Sequence, residues 1–151
     1  MTHDEALCLF KRVGEFELST VMGTDEKLLI FGPRIQHSDE RPCVYAWVEE
    51  QPGGNKRILY IGKSGLSLEK RHSQHATGFQ HSKRGQSHRS VLEVLLLANA
   101  RVSVWVMHPE PFRWEGYEVP SHASVEEFLI RTIQPTPERN SQARRSSKME
   151  T

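Results

Sequence analysis

Two adjacent glutamates near the end of the chain, Glu126 and Glu127, stand in different chemical situations. Glu127 has two ordinary jobs: an S-x-x-E capping box with Ser124 and an i,i+4 ion pair with Arg131. Glu126 has neither. Its helical neighbours are Leu129, Ile130 and Ile133, so its carboxylate points toward the packed side. Burying a carboxylate is costly unless a cation or donor meets it, which makes Glu126 the candidate for chemistry. Tyr45 and Tyr60 lie on neighbouring strands of one predicted hairpin, where tyrosines ordinarily pack with a bonded hydroxyl. Arg71 follows at about one helix's distance and shares a face with Leu68, His72 and His75. His72, His75, His81 and His88 crowd a short stretch. Their spacing leaves three readings open: a loose H-x-x-H zinc pair, a partner-facing or catalytic-helper role for His72 or His75, and solvated surface.

Other chemistries have no residues to carry them. There is no G-x-x-x-x-G-K-[ST] loop, no strand–GxGxxG–helix unit, no paired C-x-x-C and no H-E-x-x-H. Gly62–Lys63–Ser64–Gly65 lacks the first glycine of a phosphate loop and reads as a strand-to-helix turn.

The elements that must position these residues follow from pattern. Residues 4–13 predict a short helix, and residues 15–22 and 27–31 two strands. Residues 32–42 read as a polar arm. Cys43–Val48 and Arg57–Gly62 form an antiparallel hairpin around Pro52–Gly53–Gly54–Asn55. Ser67 caps a helix beginning at Leu68. Residues 76–88 read as a basic loop, and Ser90–Ala98 as a largely buried helix. Arg101–Met107 is a third strand, 108–120 is irregular, and a last helix spans Ser124–Ile133. The sum is an α+β domain: a small three-stranded antiparallel sheet flanked by helices, with an N-terminal extension.

Composition narrows the partner. The chain has 151 residues, 36% hydrophobic and 26% charged, with mean hydropathy −0.58 and no membrane-length apolar run. The first residues carry charges through their apolar stretch, unlike a secretory signal, and two cysteines do not make a disulfide framework. A reducing, cytoplasmic setting is the expectation. The net charge of +1 hides an asymmetry. Residues 1–40 hold four Lys/Arg against eight Asp/Glu, whereas 55–101 hold nine against two. Such a basic field suits a polyphosphate partner.

Val44–Tyr45–Ala46, a hairpin, Tyr60–Ile61–Gly62–Lys63 and Leu68–Glu69–Lys70–Arg71 resemble the two-tyrosine signature of the GIY-YIG nucleases. Glu126, Leu129–Ile130, Pro135 and Asn140 are similar to that family's closing element. The resemblance spans residues 43–140, leaving 1–42 as an extension and 141–151 as a basic, disordered tail. Cys43 stands where the family usually has glycine, and the hairpin loop and the step from Lys63 to Arg71 are long.

The resemblance implies hydrolysis of DNA phosphodiesters with one divalent metal, Mg²⁺ or Mn²⁺, held by Glu126. It implies Arg71 as the phosphate clamp, Tyr45 as the base that takes the water's proton, and Tyr60 and Lys63 as polarising groups. In that role Tyr45 would need its pKa lowered by Lys63, Arg71 and the metal. Lys70, His72, His75, Lys83, Arg84 and Arg89 are the expected DNA contacts, with Gly62 and Asn140 structural. Restriction, phage DNA degradation, mobile-element cleavage and repair are all compatible roles. Double-strand cleavage would require a homodimer or two visits. The competing readings are a nucleic-acid-binding module that does not cut, and a toxin or effector nuclease.

Overall fold

In the computed structural model, residues 1–20, 27–29 and 32–135 are described, with only the backbone for 19, 20 and 27–29. Asn140 and the basic tail lie outside the described residues.

Cys43–Val48 is the most apolar run of the chain, and it is buried on both faces. It begins β5 (Cys43–Glu50), which lies inside a five-stranded antiparallel sheet. The other strands are β1 (Lys11–Phe16), β4 (Arg34–Ile35), β6 (Lys56–Ser64) and β7 (Arg101–Met107), in the order β4-β1-β7-β5-β6. Side chains of β5 alternate between two cores, as the strand period requires. Tyr45 and Trp47 face Phe16, Leu68, Phe79 and Leu92, under α2 (Leu68–His81) and α3 (Lys83–Leu97). Val44, Ala46 and Val48 face Leu7, Phe10, Leu129 and Ile130, from α1 (His3–Leu7), the turn after it and α4 (His122–Ile133). The sheet is thus sandwiched between two helical layers.

The α+β class and antiparallel hairpin are as expected, but the strand count is corrected from three to five. The N-terminal segment supplies the difference. Its helix stops at Leu7 rather than residue 13, and β1 pairs with β7 while β4 pairs with β1. Strand pairing outcompetes the helical spacing because Val13 and Phe16 complete the core under α2 and α3. A separate hairpin joins β2 (Leu18–Thr20) to β3 (Lys27–Leu29).

Residues 76–88 are not a loop. α2 runs to His81, and Ser82 ends it and starts α3, accepting the Gly85 amide at 2.9 Å. The glycines that read as loop residues permit close helix contact, since a Cβ on Gly85 would collide with the Gly78 carbonyl. α3 is also less buried than expected: only Gly85, His88 and Leu92 are, while Val94 and Leu97 are exposed.

Residues 108–120 contain a hairpin, β8 (Phe112–Trp114) with β9 (Tyr117–Val119), turning at Glu115 and Gly116 with positive φ. The Ser124 capping box does not form. α4 begins at His122, and the Ser121 hydroxyl donates to the Glu110 carbonyl at 2.6 Å instead of capping. The Glu127–Arg131 pair does form, at 2.7 Å on the surface.

Candidate active site

β6 is an edge strand, and side chains with chemistry gather on both of its faces. Toward α2 and α3, Tyr45 opposes Gly62 across the ladder and Trp47 opposes Tyr60. A bulge at this point leaves both Leu59 and Tyr60 in the core under α2 and α3, re-aiming the tyrosine as bulges near sites commonly do. Gly62 is required sterically, because a Cβ there would run into the ring and hydroxyl of Tyr45.

The Tyr45 hydroxyl meets Nε2 of His75 at 2.5 Å. The Tyr60 ring stands 6.1 Å from that of Tyr45, and the Arg71 charge is felt at its hydroxyl. Burial pushes the Tyr45 pKa well above its ordinary value, the Tyr60 phenol adds to the rise, and Arg71 opposes it. In the fold alone the Tyr45 pKa is thus raised rather than lowered, and the side chain is a neutral phenol. Burial, then His72 and Arg71, hold His75 far below the usual histidine range. His75 is a neutral imidazole, and its Nε2 shares one hydrogen bond with the tyrosine hydroxyl. Arg71 donates to Gln74 at 3.0 Å and, with Tyr60, His75, Arg84 and His88, lines a cleft of about 190 Å³.

His72 is a correction. Its Nε2 accepts from the Trp47 indole at 2.9 Å and its Nδ1 donates to the Leu68 carbonyl at 3.0 Å. With both nitrogens used inside the core it contacts neither DNA nor zinc. Among the described residues no three His, Cys, Asp or Glu are arranged to hold a metal. His88, in contrast, sits edge-on to Trp47 and Tyr60 at 5.5 and 5.1 Å between ring centres. The signal for it was present: Arg71/His75 on α2 and Arg84/His88 on α3 repeat the same i,i+4 spacing. It is legible only once 76–88 is helical.

Two neutral imidazoles, the buried His72 and the half-buried His75, make stability depend on pH. Burial lowers His72 to about 4 and His75 further. Below the unfolded histidine value of about 6.5 the unfolded chain takes up protons that the folded chain refuses. Stability is full above that value and falls as pH drops toward 4. Thermal unfolding between pH 7.5 and 4.5 should show it, and His72→Gln should flatten the slope.

On the opposite face of β6, Lys63 opposes Val44, whose side chain lies in the α4 core. The Lys63 Nζ stands 3.7 Å from Oε1 of Glu126. Glu126 is 6% exposed, as its apolar neighbours on α4 predict, and the Lys63 side chain is 44% exposed. Lys63 thus accompanies the glutamate rather than the tyrosines, a correction to its expected partner. Of the expected DNA contacts, Lys70, Lys83 and Arg84 are exposed, whereas Arg89 is ion-paired with Glu93 at 2.8 Å.

A scan against protein-family models gives no match, and neither does a comparison with curated proteins. Among solved structures, a mutant of bacteriophage T4 EndoII matches with a TM-score of 0.60. The two share 15% identity, over 87% of this chain and 95% of the other. The chain adopts the GIY-YIG fold.

In this GIY-YIG fold the departure at Cys43 is conservative. The residue is fully buried, and burial pushes its thiol up to about 11, so it packs as a small apolar side chain. It is unpaired, as is Cys8. No helix among the described residues is long and apolar enough to cross a membrane.

Proposed function

We propose that this protein is a divalent-metal-dependent DNA endonuclease. The observation that carries the reading is the hydrogen bond from the buried Tyr45 hydroxyl to His75, which with Tyr60 and Arg71 lines a cleft within a GIY-YIG fold. Bacteriophage T4 EndoII shares that fold.

Arg71 holds the scissile phosphate, where a guanidinium can donate two hydrogen bonds. Tyr45 accepts the attacking water's proton as its own passes to Nε2 of His75, so no tyrosinate is needed. Arg71 and Arg84 both help hold the His75 pKa down. A bound phosphate offsets their charge, and His75 then becomes a better proton acceptor. Tyr60 orients the phosphate and polarises Tyr45.

A single buried carboxylate beside a loosely held ammonium fits one Mg²⁺ or Mn²⁺, which takes one or two carboxylates and keeps several waters. Glu126 would hold that ion, which when bound supplies stabilisation of the leaving 3′-oxygen. The direct test is plasmid nicking with Mg²⁺, with and without chelator. DNA binding without cutting would indicate the non-cleaving module.

DNA affinity should be strongly salt-dependent. Arg57, Arg89, Arg101 and Lys63 are paired with Glu49, Glu93, Glu15 and Glu126, while Lys56, Lys70, Lys83 and Arg84 are exposed and Arg71 lines the cleft. With about 4–6 phosphates neutralised, log K should fall against log[salt] with a slope of about −0.9 per phosphate. Fluorescence anisotropy over a salt series measures it, and a flat response removes DNA as the partner.

A further inference from the structure

His122 opens α4 one turn before Glu126, on the same helical face. Its Nδ1 is buried and has no hydrogen-bond partner among the described residues. The other ring nitrogen, Nε2, is turned toward Gly65, two residues beyond Lys63. The Lys63 charge reaches it as well: burial and then Lys63 lower its pKa, so the imidazole is neutral and carries a lone pair.

We propose that Lys63 and a divalent cation are alternative counterions of Glu126, and that His122 receives the Lys63 ammonium when the divalent cation takes its place. The inference rests on the reading of Glu126 as the metal ligand.

A buried carboxylate needs a nearby positive charge, and Lys63 stands 3.7 Å away. That separation is longer than a charge-assisted hydrogen bond, and the side chain is 44% exposed, so the contact is readily broken. A divalent ion on the same carboxylate would confront the ammonium with two like charges. The Lys63 backbone is fixed opposite Val44 in the β5–β6 ladder, so only its flexible stem can withdraw. An ammonium has three donors and needs an acceptor where it arrives. An unpartnered buried nitrogen is itself costly until a donor reaches it. His122 offers a lone pair one helical turn away, and an ammonium that reaches its Nδ1 would give that atom the partner it lacks.

The test is Mn²⁺ binding to the full chain near pH 7.5, by calorimetry and by the loss of free-ion electron paramagnetic resonance signal. Thermal melting in chelator checks the fold of each variant. Lys63→Met removes the competitor and should tighten Mn²⁺ binding roughly two- to fivefold, the size of a half-exposed ion pair. His122→Phe removes the acceptor and should weaken binding by a similar factor. His122→Gln keeps an acceptor oxygen and should stay near the parent. In the Lys63→Met background His122→Phe should have no effect, because no ammonium needs a place.

If His122→Phe weakens binding equally in both backgrounds, His122 acts on the ion itself and the exchange is overturned. Unchanged or weaker binding by Lys63→Met also overturns it. Glu126→Gln separates the two claims. Parent-like Mn²⁺ affinity in that variant removes the metal-ligand reading along with the inference. Loss of binding there with an unchanged Lys63→Met removes the inference alone.

Discussion

Glu126→Gln should reduce DNA cleavage to background while leaving DNA affinity within a few-fold of the parent. The substitution preserves shape and removes the charge that would hold the metal. The exposed bases Lys70, Lys83 and Arg84 are untouched. Glu127→Gln is the control one residue away. It breaks only the exposed pair with Arg131, worth about 0.3–0.5 kcal/mol for an i,i+4 pair, and should cut at the parent rate. The absent Ser124 capping box makes that control milder than the sequence suggests, since no cap is lost with it. Supercoiled-plasmid nicking with Mg²⁺, alongside anisotropy in chelator, separates catalysis from binding. An inactive Glu127→Gln with an active Glu126→Gln would move the metal ligand to the exposed side of α4.

The second large effect concerns the proton. Tyr45→Phe should lower single-turnover cleavage by about 10²–10⁴, the usual cost of a lost general base. His75→Ala should cost a similar factor, because Tyr45 then has no acceptor for its own proton. The double variant should be little slower than either single one, since both residues serve one proton path. Tyr60→Phe should be milder, because Tyr60 orients rather than receives. Saturating enzyme excludes product release from the measurement. A Tyr60→Phe much slower than Tyr45→Phe would move the base to Tyr60. Parent rates in both tyrosine variants would exclude a tyrosine base. An additive double variant would separate His75 from the tyrosine's proton.

The hairpin with its two tyrosines, the start of α2 at Leu68, the extent of β7 and the inward glutamate were legible in the chain alone. Each is a local matter. Strand alternation, a serine cap and helical spacing depend on residues a few positions apart, and those positions are visible in the chain. The two i,i+4 Arg–His pairs were equally local but hidden by glycines at 78 and 85, which favour loops in isolation. Contact between α2 and α3 requires Gly85, where a Cβ would strike the Gly78 carbonyl, and that packing exists only once the two helices meet.

The same holds for β1. Val13 and Phe16 have a place in the core only once β7 offers an unpaired edge for the segment to join. Tertiary packing also decided the chemistry of individual groups. His72 and His75 are three residues apart on one helix and similar in sequence context. One spends both nitrogens on the core, while the other meets the Tyr45 hydroxyl at the edge of the cleft. Lys63 lies three residues after Tyr60, yet strand alternation and the free edge of β6 place it with Glu126 instead. Burial and charge set a side chain's protonation, and both come from neighbours distant in the chain. Residue types and spacing therefore nominated the site, while protonation states and partners belong to the folded molecule.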